Sequence, residues 1–254
     1  MTELHELGVY KASLESHAAK ILEPRQTVEV HGLPKGAYRG RSPTAALSNA
    51  FVHHRILDPV LDNAVRAERQ GFDAFVLGSY SEPFLRELRS AVDMPVVSVT
   101  EATLLVACSI GRLAAPVSND PAIARLVRQS IDAHGLDRRS QSPRSVTPPL
   151  NEFQLAEAFA DPSHLIQSFT ATAREAIKEG ADVIIPAEGV LSELLYNNSV
   201  AMIDSVPVLD SFGVTWAYAA MMVSLRAKTG LSVSRSGDYR RDDAQLISEL
   251  GQDT

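Results

Sequence analysis

The chain is short of cysteine, of positive charge and of long apolar runs, and each shortage removes a class of function. Cys108 is the single cysteine among 254 residues, so no internal disulfide can form and a mechanism built on two thiols of one chain is ruled out. One thiol fits a reducing compartment. Lysine and arginine number 24 against 31 aspartates and glutamates, a formal net charge of -7. The cations are scattered, with only short groupings such as Arg138 with Arg139 and Arg240 with Arg241. A nucleic-acid surface needs them clustered, so nucleic acid is not an expected partner. The most apolar stretch, "FGVTWAYAAMMVSL" from 212 to 225, falls short of the roughly 20 residues that cross a bilayer. It is read as a core helix, and no membrane partner is expected. The N-terminus, "MTELHELGVYKASLESHAAK", has early acids and no apolar run of signal-peptide length, which points to a cytoplasmic protein.

Familiar chemical signatures are missing too. The Gly-rich segment "VHGLPKGAYRGRSP" (30 to 43) does not match G-x-x-x-x-G-K-[ST], so it is no phosphate-binding loop of that kind. Its glycines and the cations Lys35 and Arg41 suit a mobile cover over a cleft that takes an anion, or a solvated surface loop. A G-x-S-x-G turn is absent. His53 and His54 open a helix with no partner at metal-ligand spacing, and no metal is expected. Cys108 follows an apolar helical run and reads as a small buried hydrophobe.

What remains is ordinary globular material, 45% hydrophobic and 22% charged, enough for one large or two small domains. Buried-strand patterns stand at "TVEV" (27 to 30), "AFVLG" (74 to 78), "PVVSV" (95 to 99), "RLAAPV" (112 to 117), "DVIIP" (182 to 186) and "VPVL" (206 to 209). Helical stripes lie between them, in "ILDPVLDNAVRAERQ" and "LIQSFTATAREAIKE". Apolar strands alternating with helices predict an α/β fold with parallel sheets covered on both faces. The polar, proline-rich "SQSPRSVTPPLNEF" (140 to 153) is expected to be a loop, with a short strand at "RSVTP".

The chain also repeats itself. "AERQGFDAFVLGSYSEP" (67 to 83) and "AIKEGADVIIPAEGVLS" (176 to 192) each end an amphipathic helix at Gly, give one residue and an Asp, and enter a strand. Each is followed by a second strand opening with Pro-Val. Two similar lobes are predicted, each a parallel sheet flanked by helices, related by a pseudo-twofold with the active-site cleft between them. In chain order these are residues 1 to 110 and 111 to 210, then a helix at 211 to 231 packing back on the first lobe and a charged tail at 232 to 254. Ligands of such sheets bind beyond the carboxyl ends of the strands. Eight residues on from Gly71 and Gly180 stand Ser79 and Glu188, partners by register.

These motifs, "GFDAFVLGSYSEP", "MPVVSVTEA", "GADVIIPAEGV" and more weakly "GRLAAPVS", resemble the aspartate/glutamate/hydantoin racemase superfamily, which includes maleate isomerases and arylmalonate decarboxylase. The resemblance spans roughly residues 27 to 225. It implies a cysteine at each strand end, one on either face of the substrate, and a homo-oligomer. Here those positions hold Ser79 and Glu188, so symmetric two-thiol racemisation is not expected, and an asymmetric pair suggests an asymmetric reaction. Glu188 is the candidate acid or base; a helix-start carboxylate is its bland alternative. Ser79 is a candidate hydrogen-bond donor to substrate or a nucleophile, against a small residue tolerated at a turn. The amides of Tyr80, Gly189 and Val190, with Ser118 and Asn119, are candidate contacts for a carboxylate. Glu101 and Asp210, which end matching strands, are weaker candidates for the cleft. Isomerisation of a small carboxylate or cyclic amide substrate is ranked first, with no cofactor. Hydrolysis with Glu188 activating water, decarboxylation, and a non-catalytic small-molecule binder stay open as alternatives.

Overall fold

The computed structural model describes residues 2–241 and 243–250. In chain order it runs α1 (Gly8–Ile21), α2 (Pro43–Leu47), α3 (Ala50–Leu57), α4 (Pro59–Arg69), β1 (Phe75–Leu77), α5 (Leu85–Ala91), β2 (Val96–Ser98), α6 (Val99–Ile110), β3 (Ala114–Ser118) and α7 (Pro121–Ala133). There follow β4 (Arg144–Ser145), α8 (Glu152–Glu157), α9 (Ser163–Lys178), β5 (Val183–Pro186), α10 (Gly189–Asn197), β6 (Met202–Ile203), β7 (Val206–Pro207), α11 (Ser211–Thr229) and α12 (Ala244–Leu250). The fold is mixed α/β with parallel sheets flanked by helices. β1 and β2 form one sheet in register Phe75 to Val96. β4, β3 and β5 form the other, with Ala114 opposite Val183. β6 and β7 make a small antiparallel pair, after which Val208 bridges in parallel to Ile184 and widens the second sheet.

The apolar strands are explained by what covers them. In β3 and β5, Ala115, Val117 and Ile184 join one buried cluster with α1, α9, α10 and α11. Their neighbours Ala114, Val183 and Ile185 point the other way, into a cluster with α6 and α7. With both faces buried, the period of two that marks a half-exposed strand disappears from the sequence. In the first sheet Leu77 and Val96 pack with α4 and α5, while Val76 and Val97 face α6 and α11. α11 therefore packs on both strands of the first sheet as well as on α1 and α10. The N-terminal α1, by contrast, buries Tyr10, Leu14, His17 and Ala18 in the cluster of the second sheet.

Two local expectations change. "TVEV" is extended without strand pairing; Val28 and Val30 only lean on the second core. The long stripe from 56 to 70 is two helices, because Pro59 has no amide to continue α3 and instead opens α4. The charged tail beyond Ser232, which could dock or fray, is docked as far as it is described. Arg235 donates to the carbonyls of Arg89 and Val92 and to Asp93, and Arg241 pairs with Asp93 and Glu68. Residues 251–254 of that tail lie outside the described residues. The short strand expected in "RSVTP" is β4. Among the described residues no helix is long and apolar enough to cross a membrane.

Candidate active site

Gly71 and Gly180 both have left-handed backbones, with φ of 84° and 96°. Each ends a helix and turns the chain into a strand, which a residue with a Cβ does at a steric cost. β1 then delivers Gly78 and Ser79; β5 delivers Ala187 and Glu188. The first residues of α11 join the two strand ends. A Cβ at Gly78 would lie 3.6 Å from the Phe212 ring, and one at Gly189 would lie 3.3 Å from it. One aromatic ring thus touches the glycine beside Ser79 and the glycine beside Glu188. Tyr80 donates its phenol to Ser211 Oγ at 2.7 Å, and Ser211 donates to the Pro186 carbonyl at 3.1 Å. This chain of hydroxyls ties the first strand end to the second.

Glu188 is the N-cap of α10, with φ −156° and ψ 141°, and its Oε2 accepts the Leu191 amide at 2.7 Å. The capping geometry is the bland expectation for this acid, and it is present. It does not remove the carboxylate from the site: Glu188 is half-buried, and it sits close to two phenols. A Cβ at Gly189 would lie 2.7 Å from the Tyr10 hydroxyl. Burial first, then the charge of Glu188, then that of Glu193, push the Tyr10 phenol well above its ordinary range. Burial chiefly, with Glu188 and Asp210 adding, pushes Tyr80 up as well, against the lowering effect of its bonds to Ser211 and Thr103. Both phenols stay neutral beside the acid. The Gly189 and Val190 amides lie in the first turn of α10, where no intrahelical acceptor exists.

Ser79 is 6% exposed. Its Oγ is 3.1 Å from Ser81 Oγ, which is 3.3 Å from His53 Nε2. His53 is half-buried at the start of α3, and burial lowers its pKa. The loop that carries Ser79 is anchored by Glu82, held at φ 45°. Its carboxylate accepts from Ser98 Oγ, from the Glu101 amide at 3.1 Å and from His134 Nε2 at 2.8 Å. Burial would raise the Glu82 pKa, but the bond and charge of His134, with Ser98 and Ser130, leave it lowered.

Most of the other expected residues have partners of their own. Glu101 pairs with Arg89 and lies 3.7 Å from His134 Nδ1. Ser118 and Asn119 are fully buried. They hold residues 146 to 150: the Ser118 carbonyl accepts the Val146 amide, and Asn119 Nδ2 donates to the Leu150 carbonyl at 2.7 Å. Lys35 and Arg41 are exposed on a loop pinned at its base, where Glu3 accepts the amides of Gly36 and Tyr38 at 2.7 and 2.8 Å. Cys108 is only half-buried, on α6. Asp210 caps α11 through the Gly213 amide at 2.9 Å and, with the charge it shares toward Tyr80, stays with the site.

Asp210 also ends a buried charged chain that sequence patterns did not single out. His17, 1% exposed, has Nε2 2.8 Å from Asp210 Oδ2 and Nδ1 3.0 Å from Glu193 Oε2. Glu193 is fully buried and accepts from Ser13 Oγ at 2.6 Å. Carboxylates only accept, so the ring between them donates from both nitrogens and is an imidazolium. Burial opposes this charge, but the bonds to Asp210 and Glu193 raise the pKa of His17 to about 9. Its ring stacks on Tyr196, centroids 3.4 Å apart, with the Trp216 edge at 5.0 Å. Tyr10, Leu14, His17 and Ala18 share a helical face, and Glu193 interrupts an apolar face of α10; an acid and a histidine on apolar faces were the available signals. No group of side chains that could hold a metal ion occurs among the described residues.

With this geometry in place, comparison with known proteins assigns the class. Residues 8–219 match the Asp/Glu/Hydantoin racemase family, and the chain belongs to it. The hydantoin racemase of Pseudomonas sp. (strain NS671) is 24% identical over 214 residues, 84% of this chain and 81% of that one. The hydantoin racemase of Rhizobium meliloti is 24% identical over 174 residues, 68% of each. Allantoin racemase from Pseudomonas fluorescens shares the fold with a TM-score of 0.71 at 23% identity, covering 92% of both chains. Membership supports an isomerase.

Proposed function

We propose that this chain is a cofactor-independent isomerase acting on a small carboxylate or cyclic amide, with Glu188 as the group that moves the proton. The observation that carries it is the placement of Glu188: a half-buried carboxylate at the end of β5, beside two neutral phenols and next to Gly189, which meets the same Phe212 ring as Gly78 beside Ser79. An amide bond and a helix start favour its anionic form, which is the form of a base. The acid takes a proton from the carbon next to a carbonyl, the electron pair passes into an enolate, and the α10 amides of Gly189 and Val190 stabilise the enolate oxygen. The names of the curated relatives favour a hydantoin over a free amino acid as the first substrate to try.

The test is proton exchange. Enantiopure 5-benzylhydantoin, allantoin, aspartate and glutamate are incubated with the protein in deuterated water and followed by NMR and optical rotation. Deuterium is expected at the ring carbon of at least one cyclic amide, with no uptake of labelled water oxygen and no release of carbon dioxide. Glu188→Gln is expected to stop the exchange while the fold persists. Exchange at the wild-type rate in that variant, or incorporation of labelled oxygen, would overturn the assignment.

A further inference from the structure

A single carboxylate can remove a proton and return it to the same face; inversion needs a second group on the other face. The first strand end has lost its thiol, and a serine hydroxyl alone is a poor proton-transfer group at neutral pH. What stands behind Ser79 is unusual for a turn. Ser79 Oγ and Ser81 Oγ are 3.1 Å apart, and Ser81 Oγ is 3.3 Å from His53 Nε2. The three side chains come from two separate segments: the loop after β1 and the start of α3. The backbone between the serines is fixed by a turn, Glu82 N donating to the Ser79 carbonyl at 3.1 Å, and by the buried Glu82 carboxylate. The other end is fixed by the Asn49 cap of α3 and by His54, whose ring meets Phe84 edge-on at 5.0 Å. Hydroxyls can donate and accept at once, so a serine, a serine and an imidazole in series form a continuous proton path.

We propose that Ser79, Ser81 and His53 form a proton relay that replaces the missing thiol, with Ser79 as the group that meets substrate on the face opposite Glu188. It rests on Glu188 being the base. In one direction Glu188 breaks the C–H bond and keeps the proton, and the electron pair moves into the enolate. On the far face a new C–H bond forms with the Ser79 hydroxyl proton; the Ser81 proton moves to Ser79, and the Nε2 proton of protonated His53 moves to Ser81. Glu188 ends protonated and His53 neutral. The opposite enantiomer runs the same transfers backwards, with neutral His53 as the terminal base, and exchange with water resets both groups. Burial lowers the pKa of His53 and so favours its neutral form, the terminal base of the reverse direction. Ser79 is the catalytic member; Ser81 and His53 act through it.

The experiment compares deuterium exchange with inversion on enantiopure 5-benzylhydantoin and allantoin in deuterated water. Wild type is expected to exchange and invert together. With the enantiomer whose C–H bond faces Glu188, Ser79→Ala, Ser81→Ala and His53→Ala, checked for folding by thermal melts, are expected to lose inversion by about tenfold or more while exchange persists; with the opposite enantiomer all three are expected to lose both. Added imidazole is expected to restore inversion in His53→Ala and not in Ser79→Ala, a result that a purely structural role for His53 would not give. Inversion in step with exchange in all three variants for the enantiomer whose C–H bond faces Glu188, or no rescue by imidazole, overturns the relay and leaves Glu188 as the base untouched. Loss of exchange in Glu188→Gln supports the base on which the relay rests. Undiminished exchange in that variant, or no exchange by wild type, overturns the base and the relay with it.

Discussion

The two strand ends are built from one sequence grammar and finish differently. After β1 the chain breaks: Ser79 enters a turn, Glu82 and Phe84 take left-handed backbones, and α5 begins only at Leu85. After β5 the chain goes straight into a helix, with Glu188 as its cap and Gly189 as its first residue. An acid at the second end is therefore held by a helix N-terminus, which favours its charge. A hydroxyl at the first end is held in a loop, where it meets Ser81 and, through it, His53. The same register with different exits gives one end a charge and the other a hydrogen-bonded hydroxyl. Divergence after the strand, more than in it, sets the chemistry of each face.

The largest expected break in this comparison is chemical. For the enantiomer whose C–H bond faces Glu188, Glu188→Gln should cut deuterium exchange by about 10²–10⁴-fold, whereas Ser79→Ala should leave exchange within about threefold; equal losses would show that the ends are not specialised. Next comes the buried chain behind the second end. Glu193→Ala removes one carboxylate from the buried His17 imidazolium and should cost about 3 kcal/mol or more in urea unfolding. By contrast, Asp73→Ala at the exposed helix-to-strand turn of the first repeat is expected to cost less than about 1 kcal/mol.

The same imidazolium gives a pH signature to the second end. The His17 pKa is raised from 6.5 to about 9 in the folded chain. Its stabilising contribution is complete below pH 6.5 and is lost as pH rises through about 9. Urea midpoints should therefore fall across that window, and His17→Gln should flatten the fall.

Two glycine pairs sharpen the comparison further. Gly189→Ala would place a Cβ 2.7 Å from the Tyr10 hydroxyl and is expected to cost about 1–3 kcal/mol. Gly78→Ala meets Phe212 at an ordinary 3.6 Å and should be close to neutral, within about 0.5 kcal/mol. The smallest contrast is the one expected to vanish. Gly71→Ala and Gly180→Ala meet no atom within 4 Å but share left-handed backbones, so each should lose about 1 kcal/mol by thermal melting. Unequal losses would mean that the two helix ends are not equivalent.

The legibility of the fold follows from locality. β1, β2, β3, β5 and β7 coincide with apolar runs because a strand buried on both faces leaves a mark that no tertiary detail can erase. "TVEV" carries the same mark and forms no strand, since pairing depends on a neighbour that sequence patterns cannot supply. Pro59 was readable as a helix start, yet the stripe from 56 to 70 masked the break. At the site, Ser79 and Glu188 are visible as partners by counting from two glycines. Tyr10, His17 and Phe212 are not, because each reaches the site from a helix outside the two repeated segments.

By itself the sequence determines the α/β class, the repeat, and the register that pairs Ser79 with Glu188, since these are matters of residue type and spacing along one chain. The tertiary structure alone decides what surrounds that pair. It swings α1 across to the second sheet, lays Phe212 between Gly78 and Gly189, ties Tyr80 to Ser211, and locks His17 between Glu193 and Asp210. The reason is physical. Burial, proximity of charges and hydrogen-bond direction are properties of space, and residues separated by more than a hundred positions acquire them only when the core closes.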